Sequence, residues 1–386
     1  MKYSVLAMAT AACLLAGGAA LAQTQGVTKD ELVIGSLADL SGPLSGPGKQ
    51  IRNGMLLRME EANEGGGIHG RKLTIKFEDT AYDPRKGVLG AQKLVNSDKV
   101  FAIAGSPGTV INTAAFPVMF PKNVINFMPI SGAREMYEPA HKLKFAFIST
   151  YYDQVKLSLP DFVKEKNLKR VCALLQDDDL GLEVQRGATD GLATIGMKLE
   201  ETATYKRGAT DFTTQMQRLA SSKCDTVVLA AIIRETIGAM AAANRLSFNP
   251  VFFGSTASYS ELIPKLGGNA VNGLYATMTV EVPYLDAPSA PVKAWAEKYK
   301  TRFNEDPGLY SVYGYELLDI FVEGAKKAGA NLTTDSFIAA MESFKREPDM
   351  FGSPVMTWSS EMRLGNAKAR LSQIQDGRWK VVSDYK

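Results

Sequence analysis

Residues 102–120 read AIAGSPGTVINTAAFPVMF, and this stretch predicts how the chain folds. It begins with the apolar composition of a short strand, is broken by Gly-Ser-Pro-Gly at 105–108, and continues from Thr109 with the pattern of a helix. A strand, a glycine-rich turn and a helix together form the basic unit of α/β proteins. The first N–H groups of such a helix have no partner within it, and with the helix dipole they favour a bound anion.

Short apolar runs of strand length alternate with amphipathic runs on both sides of this stretch. Strand character is found at 32–38, 73–79, 100–105, 124–128 and 145–150, then at 170–176, 225–231, 250–255 and 273–279, and finally at 369–375 and 378–382. Helical spacing of apolar residues is found at 51–62, 88–95, 181–196, 211–221, 234–246, 295–302 and 313–328. Alternating strands and helices predict parallel sheets covered by helices on both faces. The two successive series predict an α/β chain of two lobes, with a ligand cleft between them.

The composition is that of an ordinary soluble globular protein. The chain has 386 residues, of which 45% are apolar and 22% are charged, and its net charge is +3. So small a net charge gives no reason to expect nucleic acid or an anionic membrane surface as a partner. Two histidines and three cysteines, nowhere clustered, leave no candidate zinc site. We expect no cofactor.

The first 22 residues differ from the rest of the chain. Lys2 precedes an Ala/Leu-rich run that ends with Ala20-Leu21-Ala22, which is the pattern of a secretory signal peptide. A membrane anchor is the alternative, because the apolar run approaches spanning length. The Gly17-Gly18 pair and the Ala-x-Ala end favour cleavage. We therefore expect an exported, periplasmic protein with no later segment that spans a bilayer.

Removal of this leader leaves two cysteines, Cys172 and Cys224. An oxidising compartment would allow them to form a disulfide. Each lies near a predicted strand, however, and on that ground we expect two buried thiols.

A set of short motifs between residues 41 and 84 carries a family resemblance. The motifs are Ser41-Gly42-Pro43, Ala62-Asn63, Gly66-Gly67-Ile68, Gly70-Arg71-Lys72-Leu73, and Asp79 with Asp83-Pro84. They resemble the N-terminal lobe of the branched-chain amino acid group of periplasmic solute-binding proteins, which supply ABC transporters. The resemblance extends from about residue 30 to the C-terminus.

This resemblance implies the type I periplasmic binding protein fold, in which two Rossmann-like lobes with parallel central sheets are joined by a three-strand hinge. It places the N-terminal lobe at 23–148 and 279–345. The C-terminal lobe then comprises 149–278 and 346–386.

The resemblance also implies a site for a ligand carboxylate. In the family, one loop follows the third strand and a second loop follows the next strand; here they fall on Gly108 and Thr109, and on Ser131 and Gly132. N–H and hydroxyl donors on two loops suit the two oxygens of a carboxylate. A phosphate loop would carry a lysine near its helix start, and 109–111 lacks one. A plain strand-to-helix turn is the alternative.

Family members that bind amino acids neutralise the ligand ammonium with acidic side chains at two places. The resemblance puts Tyr151 or Tyr152 at the first place and Thr256 at the second, so both acids are missing. An ammonium without a counter-charge in a closed cleft is costly. This argues against a free amino acid as the ligand.

Further residues are candidates for ligand contact. The resemblance places Leu180 and Tyr310 against the ligand, and tyrosine offers a flat apolar face with a hydroxyl at its end. Tyr313 and Tyr315 read instead as core or surface aromatic residues. Arg234 follows a predicted strand, where it either reaches a ligand carboxylate or carbonyl across the cleft or is a solvated residue at a helix start.

We therefore expect a monomeric solute-binding protein that closes over a small organic carboxylate, of the benzoate or cinnamate type, and presents it to an ABC permease. Branched-chain or other amino acids and amides are the alternative ligands. An enzyme is disfavoured, because AGSPG lacks the first glycine of a nucleophile elbow and no Gly-x-Gly-x-x-Gly follows the first strand. A sensing domain of the same fold would need a spanning helix or a catalytic module, and we expect neither.

Overall fold

The structure, a computed structural model, describes residues 24–286 and 289–386. The predicted leader at 1–22 lies outside the described residues. Within them the chain forms two α/β units, each on its own sheet, and a short two-stranded ribbon. The predicted fold class, two mostly parallel sheets with helices between the strands, is confirmed.

The first unit is built on a five-stranded parallel sheet with strand order β2-β1-β3-β4-β5. Its elements are β1 (Glu31–Ala38), α1 (Ser45–Glu64), β2 (Lys72–Asp79), α2 (Pro84–Gln92), β3 (Ala102–Ala104), α3 (Thr109–Met119), β4 (Ile125–Phe127) and β5 (Lys144–Phe145). The central strands are short and fully buried, as expected where helices cover both faces of a parallel sheet. The helix predicted to start at Thr109 does so.

The second unit is built on a seven-stranded sheet with strand order β14-β13-β10-β9-β8-β6-β7. Its elements are α4 (Tyr151–Glu165), β6 (Val171–Gln176), α5 (Asp179–Ala193), β7 (Glu201–Tyr205), α6 (Thr213–Ser221), β8 (Thr226–Ala230), α7 (Ile233–Arg245), β9 (Val251–Gly254), α8 (Leu262–Gly267) and β10 (Tyr275–Met278). All of these strands pair in parallel.

The rest of the chain divides between the two units. Its elements are α9 (Ala290–Phe303), α10 (Leu309–Lys327), α11 (Thr334–Glu342), β11 (Lys345–Arg346), β12 (Met356–Thr357), β13 (Arg370–Gln375) and β14 (Arg378–Val381). Helix α10 packs along α1 of the first unit, and Phe337 of α11 packs edge-on against Phe101 and Phe127 beside β3 and β4. Strands β13 and β14 add to the second sheet in antiparallel fashion.

The two cysteines form a disulfide, so the expectation of two free thiols is wrong. Cys172 lies at the start of β6, and Cys224 lies just before β8. Because β6 and β8 are neighbouring parallel strands, their amino ends lie side by side and the two Cα atoms are 5.9 Å apart. The disulfide therefore links the amino-terminal ends of β6 and β8, at the end of the second sheet opposite to the carboxyl ends of its strands.

The structure differs from the predicted elements in two places that affect the site. The run 145–150 was expected to be a strand, but β5 ends at Phe145 and the next residues cross to the second unit, where α4 begins at Tyr151. Strand β7 was not predicted, because its residues are mostly polar and form no apolar run; the strand lies at the edge of the second sheet.

Among residues 24–286 and 289–386, no helix combines the length and apolarity that a bilayer span requires.

Candidate functional site

A cavity lies where the carboxyl ends of the two sheets face each other. The cavity has a volume of about 50 Å³. The lining residues are Leu44, Pro47, Tyr82, Pro107, Gly108, Thr109, Ile130, Ser131, Gly132, Ile148, Tyr151, Leu180, Ile232, Thr256, Ala257, Tyr310 and Tyr313. All but the two tyrosines of α10 follow the carboxyl end of a strand, where α/β sheets bind their ligands.

The loop at 105–108 leads from β3 into α3 and forms one side of the cavity. Gly108 has φ +92°, and a Cβ at this position would lie 2.3 Å from Cε2 of Tyr82. Glycine is therefore required both for the backbone angle and for the close approach of the tyrosine ring. The first N–H groups of α3, at Thr109 and Val110, have no partner within the helix, and they lie at the positive end of its dipole.

Two hydroxyl groups meet beside this helix start. Thr109 Oγ1 lies 2.8 Å from Ser131 Oγ, and Ser131 Oγ also accepts a hydrogen bond from the N–H of Ala133 at 3.2 Å. The pair has two hydroxyl protons and needs only one for the bond between its oxygens. One proton is therefore left over for a ligand oxygen.

The second loop, which follows β4, is held against the start of α4. The carbonyl of Gly132 accepts a hydrogen bond from the N–H of Tyr151 at 2.6 Å. A Cβ at Gly132 would lie 2.9 Å from the Tyr151 ring. Both loops thus have a glycine with a tyrosine ring packed directly on it, which brings aromatic faces close to the donor groups.

Four tyrosines line the cavity, namely Tyr82, Tyr151, Tyr310 and Tyr313. Burial raises the pKa of all four phenols above the ordinary value of 10.0. Their hydroxyl groups therefore stay protonated at physiological pH and can donate to a ligand oxygen. Tyr310 and Tyr313 also pack edge to face, with ring centroids 6.1 Å apart, and the Tyr313 hydroxyl lies 3.1 Å from Thr279 Oγ1.

The second unit contributes Thr256 from the turn after β9. The Gln154 side chain of α4 holds this residue twice: its Oε1 accepts from the Thr256 N–H at 2.9 Å, and its Nε2 donates to Thr256 Oγ1 at 3.0 Å. Thr256 Oγ1 acts as the acceptor in that contact, so its own proton is free for a ligand. Leu180, Ile232 and Ala257 complete this side with apolar surface.

None of the described residues that line the cavity is Asp, Glu, Lys, Arg or His. Two acids outside the lining, Asp178 and Glu235, lie near the lining residue Tyr82. Asp178 Oδ2 lies 2.7 Å from Nη2 of Arg207, and its Oδ1 accepts from the N–H of Leu180 at the start of α5. Burial raises the pKa of Glu235 above its ordinary value of 4.5.

The structure brings eight of the ten sequence-predicted residues together around the cavity. They are Gly108, Thr109, Ser131, Gly132, Tyr151, Leu180, Thr256 and Tyr310. Tyr152 and Arg234 do not line it. Tyr152 follows Tyr151 on α4 and turns away by about 100°; its hydroxyl donates to Asp190 at 2.7 Å and its ring lies under Arg134, with Cζ 4.5 Å from the centroid. Arg234 is exposed at the start of α7.

Tyr82 is the most informative residue that sequence reasoning missed. It stands inside the motif Asp79 to Pro84, which was noted only for its resemblance to the family pattern. A signal was present, since the motif directly follows a predicted strand and its aromatic residue is therefore at a carboxyl end. Tyr313, which the sequence predicts to be a core or surface aromatic residue, is both buried and part of the lining.

In the part of the chain that the structure describes, no cluster of three or more His, Cys, Asp or Glu side chains is arranged to hold a metal ion. The arrangement consists of hydrogen-bond donors and aromatic faces around a small space. Such a site can bind and desolvate an uncharged or anionic solute.

Comparison with known proteins gives one family and several similar structures. The family model described as periplasmic binding protein matches residues 31–378. A curated relative, the leucine-, isoleucine-, valine-, threonine- and alanine-binding protein of Pseudomonas aeruginosa, is 25% identical over 300 residues, which is 75% of this chain and 78% of that protein.

Two solved structures share the fold. The fatty acid ABC transporter substrate-binding protein of Thermomonospora curvata superposes with a TM-score of 0.83 at 23% identity, covering 94% of each chain. An ABC transporter solute-binding protein of Rhodopseudomonas palustris BisB5, solved in complex with 3,4-dihydroxybenzoic acid, superposes with a TM-score of 0.80 at 22% identity, covering 91% of this chain and 95% of that one.

Proposed function

This chain belongs to the periplasmic binding protein family, of the branched-chain amino acid type that serves ABC transporters, and from this we propose that it captures an aromatic carboxylate of the benzoate or cinnamate type and delivers it to a permease. The two lobes, at 23–148 with 279–345 and at 149–278 with 346–386, close over the solute about the crossovers between them. The permease then distinguishes the closed, loaded form from the open one.

The observation that carries this proposal is the chemistry of the cavity lining. One side offers the Thr109–Ser131 hydroxyl pair at the start of α3, which suits a carboxylate. The rest is formed by four neutral tyrosines and aliphatic side chains, which suit an aromatic ring. In this arrangement the eight lining residues predicted from the sequence are the ligand contacts.

A free amino acid fits this lining poorly, because its ammonium would lose its hydration without gaining a counter-charge. Asp178 is already paired with Arg207, and Glu235 does not line the cavity. Burying an unpaired cation costs several kcal/mol, or about a hundredfold or more in affinity. The relative from Pseudomonas aeruginosa binds branched-chain amino acids by its name, so leucine and valine belong in the test.

The test is a binding panel on the exported form, residues 23–386, by calorimetry and thermal unfolding. Three matched pairs isolate the three features of the ligand: benzoate against benzamide for the charge, benzoate against cyclohexanecarboxylate for the ring, and 3-phenylpropanoate against phenylalanine for the ammonium. The members of each pair have similar size. A ligand at a hundred times its Kd should stabilise the protein by about 2.7 kcal/mol, which thermal unfolding detects easily.

We expect the first member of each pair to bind more tightly than the second. Binding of 3,4-dihydroxybenzoate and cinnamate belongs to the same expectation. The proposal is overturned if leucine or valine stabilises the protein and none of the aromatic acids does.

A further inference from the structure

Tyr82 is enclosed between the two units. It follows β2 of the first unit, where the turn at 79–83 holds it with φ +57°, and its ring packs on Gly108 of the loop before α3. From the second unit, the Arg207 guanidinium lies over the same ring, with Cζ 5.0 Å from the centroid. One ring therefore lines the cavity, covers the proposed carboxylate loop and contacts a cation from the opposite unit.

The turn that carries Tyr82 is rigidly hydrogen-bonded. The Asp79 carboxylate accepts from the N–H groups of Leu40 and Ala81, at 2.9 and 3.1 Å, and from the Ser41 hydroxyl at 2.6 Å. The N–H of Tyr82 donates to Thr80 Oγ1 at 3.3 Å. These contacts fix the backbone, so the remaining freedom lies in the tyrosine side chain, which Arg207 restrains from one face.

Arg207 is itself placed for this contact. Its Nη2 donates to Asp178 Oδ2 at 2.7 Å, and this single anchor points the planar group toward the Tyr82 ring. Its Nε is buried and has no hydrogen-bond partner among the described residues. The Arg207 guanidinium is therefore held by its ion pair with Asp178 and by its contact with the Tyr82 ring.

We propose that Arg207 is a positioning residue of the binding site: it holds the Tyr82 ring against the Gly108 loop when the units close, and so determines how long a ligand stays bound. The role rests on the proposed function, since it requires that a ligand occupy the cavity between two closing units. Arg207 does not line the cavity; it acts through Tyr82. The contact joins the two units, so it is lost whenever the cleft opens.

The test is a double-mutant cycle with Arg207→Ala, Tyr82→Leu and the double variant, using 3,4-dihydroxybenzoate as the probe. We expect Arg207→Ala to raise the dissociation rate about five- to tenfold, the size of a partly buried cation–π contact, with the association rate nearly unchanged. The double variant should be no worse than Tyr82→Leu alone. Tyr82→Phe keeps the aromatic face, so Arg207→Ala should have its full effect in that background.

Two controls separate this role from a structural one. Arg218→Ala removes a comparable arginine of the second unit, which pairs with Glu201 within that unit at 2.7 Å, and it should leave the dissociation rate unchanged. Loss of the ion pair with Asp178 within the second unit should lower the unfolding midpoint of the ligand-free protein in Arg207→Ala whether or not Tyr82 is present. If Arg207 acted only by anchoring Asp178 at the start of α5, the dissociation rate would likewise change by the same factor in the wild-type and Tyr82→Leu backgrounds. We expect the change in rate only where the ring at position 82 is aromatic.

A distance measurement on the ligand-free protein tests the Arg207–Tyr82 contact independently of the proposed function. Spin labels at Leu89→Cys on α2 and Leu182→Cys on α5, both exposed, report the distance between the units by pulsed electron paramagnetic resonance. Arg207→Ala should shift the distribution toward the longer, open distance, and Arg218→Ala should not. If the wild type binds no aromatic acid, the proposed function fails while this arm still tests the contact. Unchanged distances, or additive effects in the cycle, overturn the inference.

Discussion

The Arg134 guanidinium of the first unit and the Glu183 carboxylate of the second unit form a two-point ion pair, with Nε–Oε2 2.9 Å and Nη2–Oε1 3.0 Å. Glu183 is almost fully buried and Arg134 is about a quarter exposed. Opening of the cleft would return both groups to water, so the pair contributes to the closed form and not to the folding of either unit.

Arg134→Ala should therefore weaken ligand binding and leave the ligand-free protein as stable as the wild type. Removing one partner of a close charge pair between two surfaces costs about 2 kcal/mol or more, and we expect a Kd at least about tenfold higher. Calorimetry with the tightest aromatic acid of the panel measures this. Arg302→Ala is the matched control, because Arg302 forms an equally two-pronged pair with Glu60 within the first unit. Equal losses in both variants would contradict the prediction.

Thr109→Val should weaken binding of any carboxylate by about 1–3 kcal/mol, because a buried ligand oxygen loses its hydroxyl donor. Valine has the same shape as threonine, so the cavity volume is retained. Thr113→Val is the control, since the Thr113 hydroxyl lies one turn further along α3 and donates to the Thr109 carbonyl at 3.2 Å. Unchanged calorimetric affinity in Thr109→Val would place the carboxylate elsewhere.

The predictable part of this molecule is the part that depends on local pattern. Apolar runs located β1, β2, β6 and β8 closely, and the Gly-Ser-Pro-Gly break located the start of α3. Strand β7 was missed because an edge strand with polar residues lacks the apolar run on which recognition depends. The disulfide was missed because it follows from the order of the strands in the sheet, and no local pattern encodes that order.

The site was predictable to the extent that family motifs mark its loops. These motifs located the two donor loops and indicated the missing acids. They did not identify Tyr82, because its contacts with Gly108 and Arg207 join three segments far apart in the sequence. They also did not distinguish Tyr151 from Tyr152, since that choice depends on the rotation of α4, which started without a clear helical signal.

The double substitution Cys172→Ser with Cys224→Ser should lower the free energy of unfolding by about 4 kcal/mol, because the disulfide closes a loop between residues 52 apart. Ligand affinity should change little, since the bond lies at the amino ends of β6 and β8, away from the cavity. Guanidinium unfolding and calorimetry measure the two quantities. Two free thiols detected in the wild type by thiol titration would refute the pairing.

Glu316 is a fully buried carboxyl group on α10, and neither of its oxygens has a partner by distance and angle among the described residues. Burial raises its pKa well above the ordinary value of 4.5, and the negative charge of Asp349 raises it further, while the nearby Ser353 hydroxyl acts in the opposite direction. The folded protein therefore binds the Glu316 proton more tightly than the unfolded chain does. The stabilisation that results is complete below about pH 4.5 and is lost as the pH rises through the folded-state pKa.

Glu316→Gln should remove this pH dependence, because glutamine keeps the shape and hydrogen-bonding capacity of the protonated acid without a charge to bury. We expect the variant to gain stability relative to the wild type as the pH rises from 4 to 9, with the smallest difference at the acid end. Thermal unfolding across this range, on the ligand-free protein, measures the difference. Glu297→Gln changes an exposed carboxyl group on α9 and should track the wild type at every pH. A difference for Glu316→Gln that does not vary with pH would mean that the buried carboxyl binds its proton no more tightly in the folded state than in the unfolded chain.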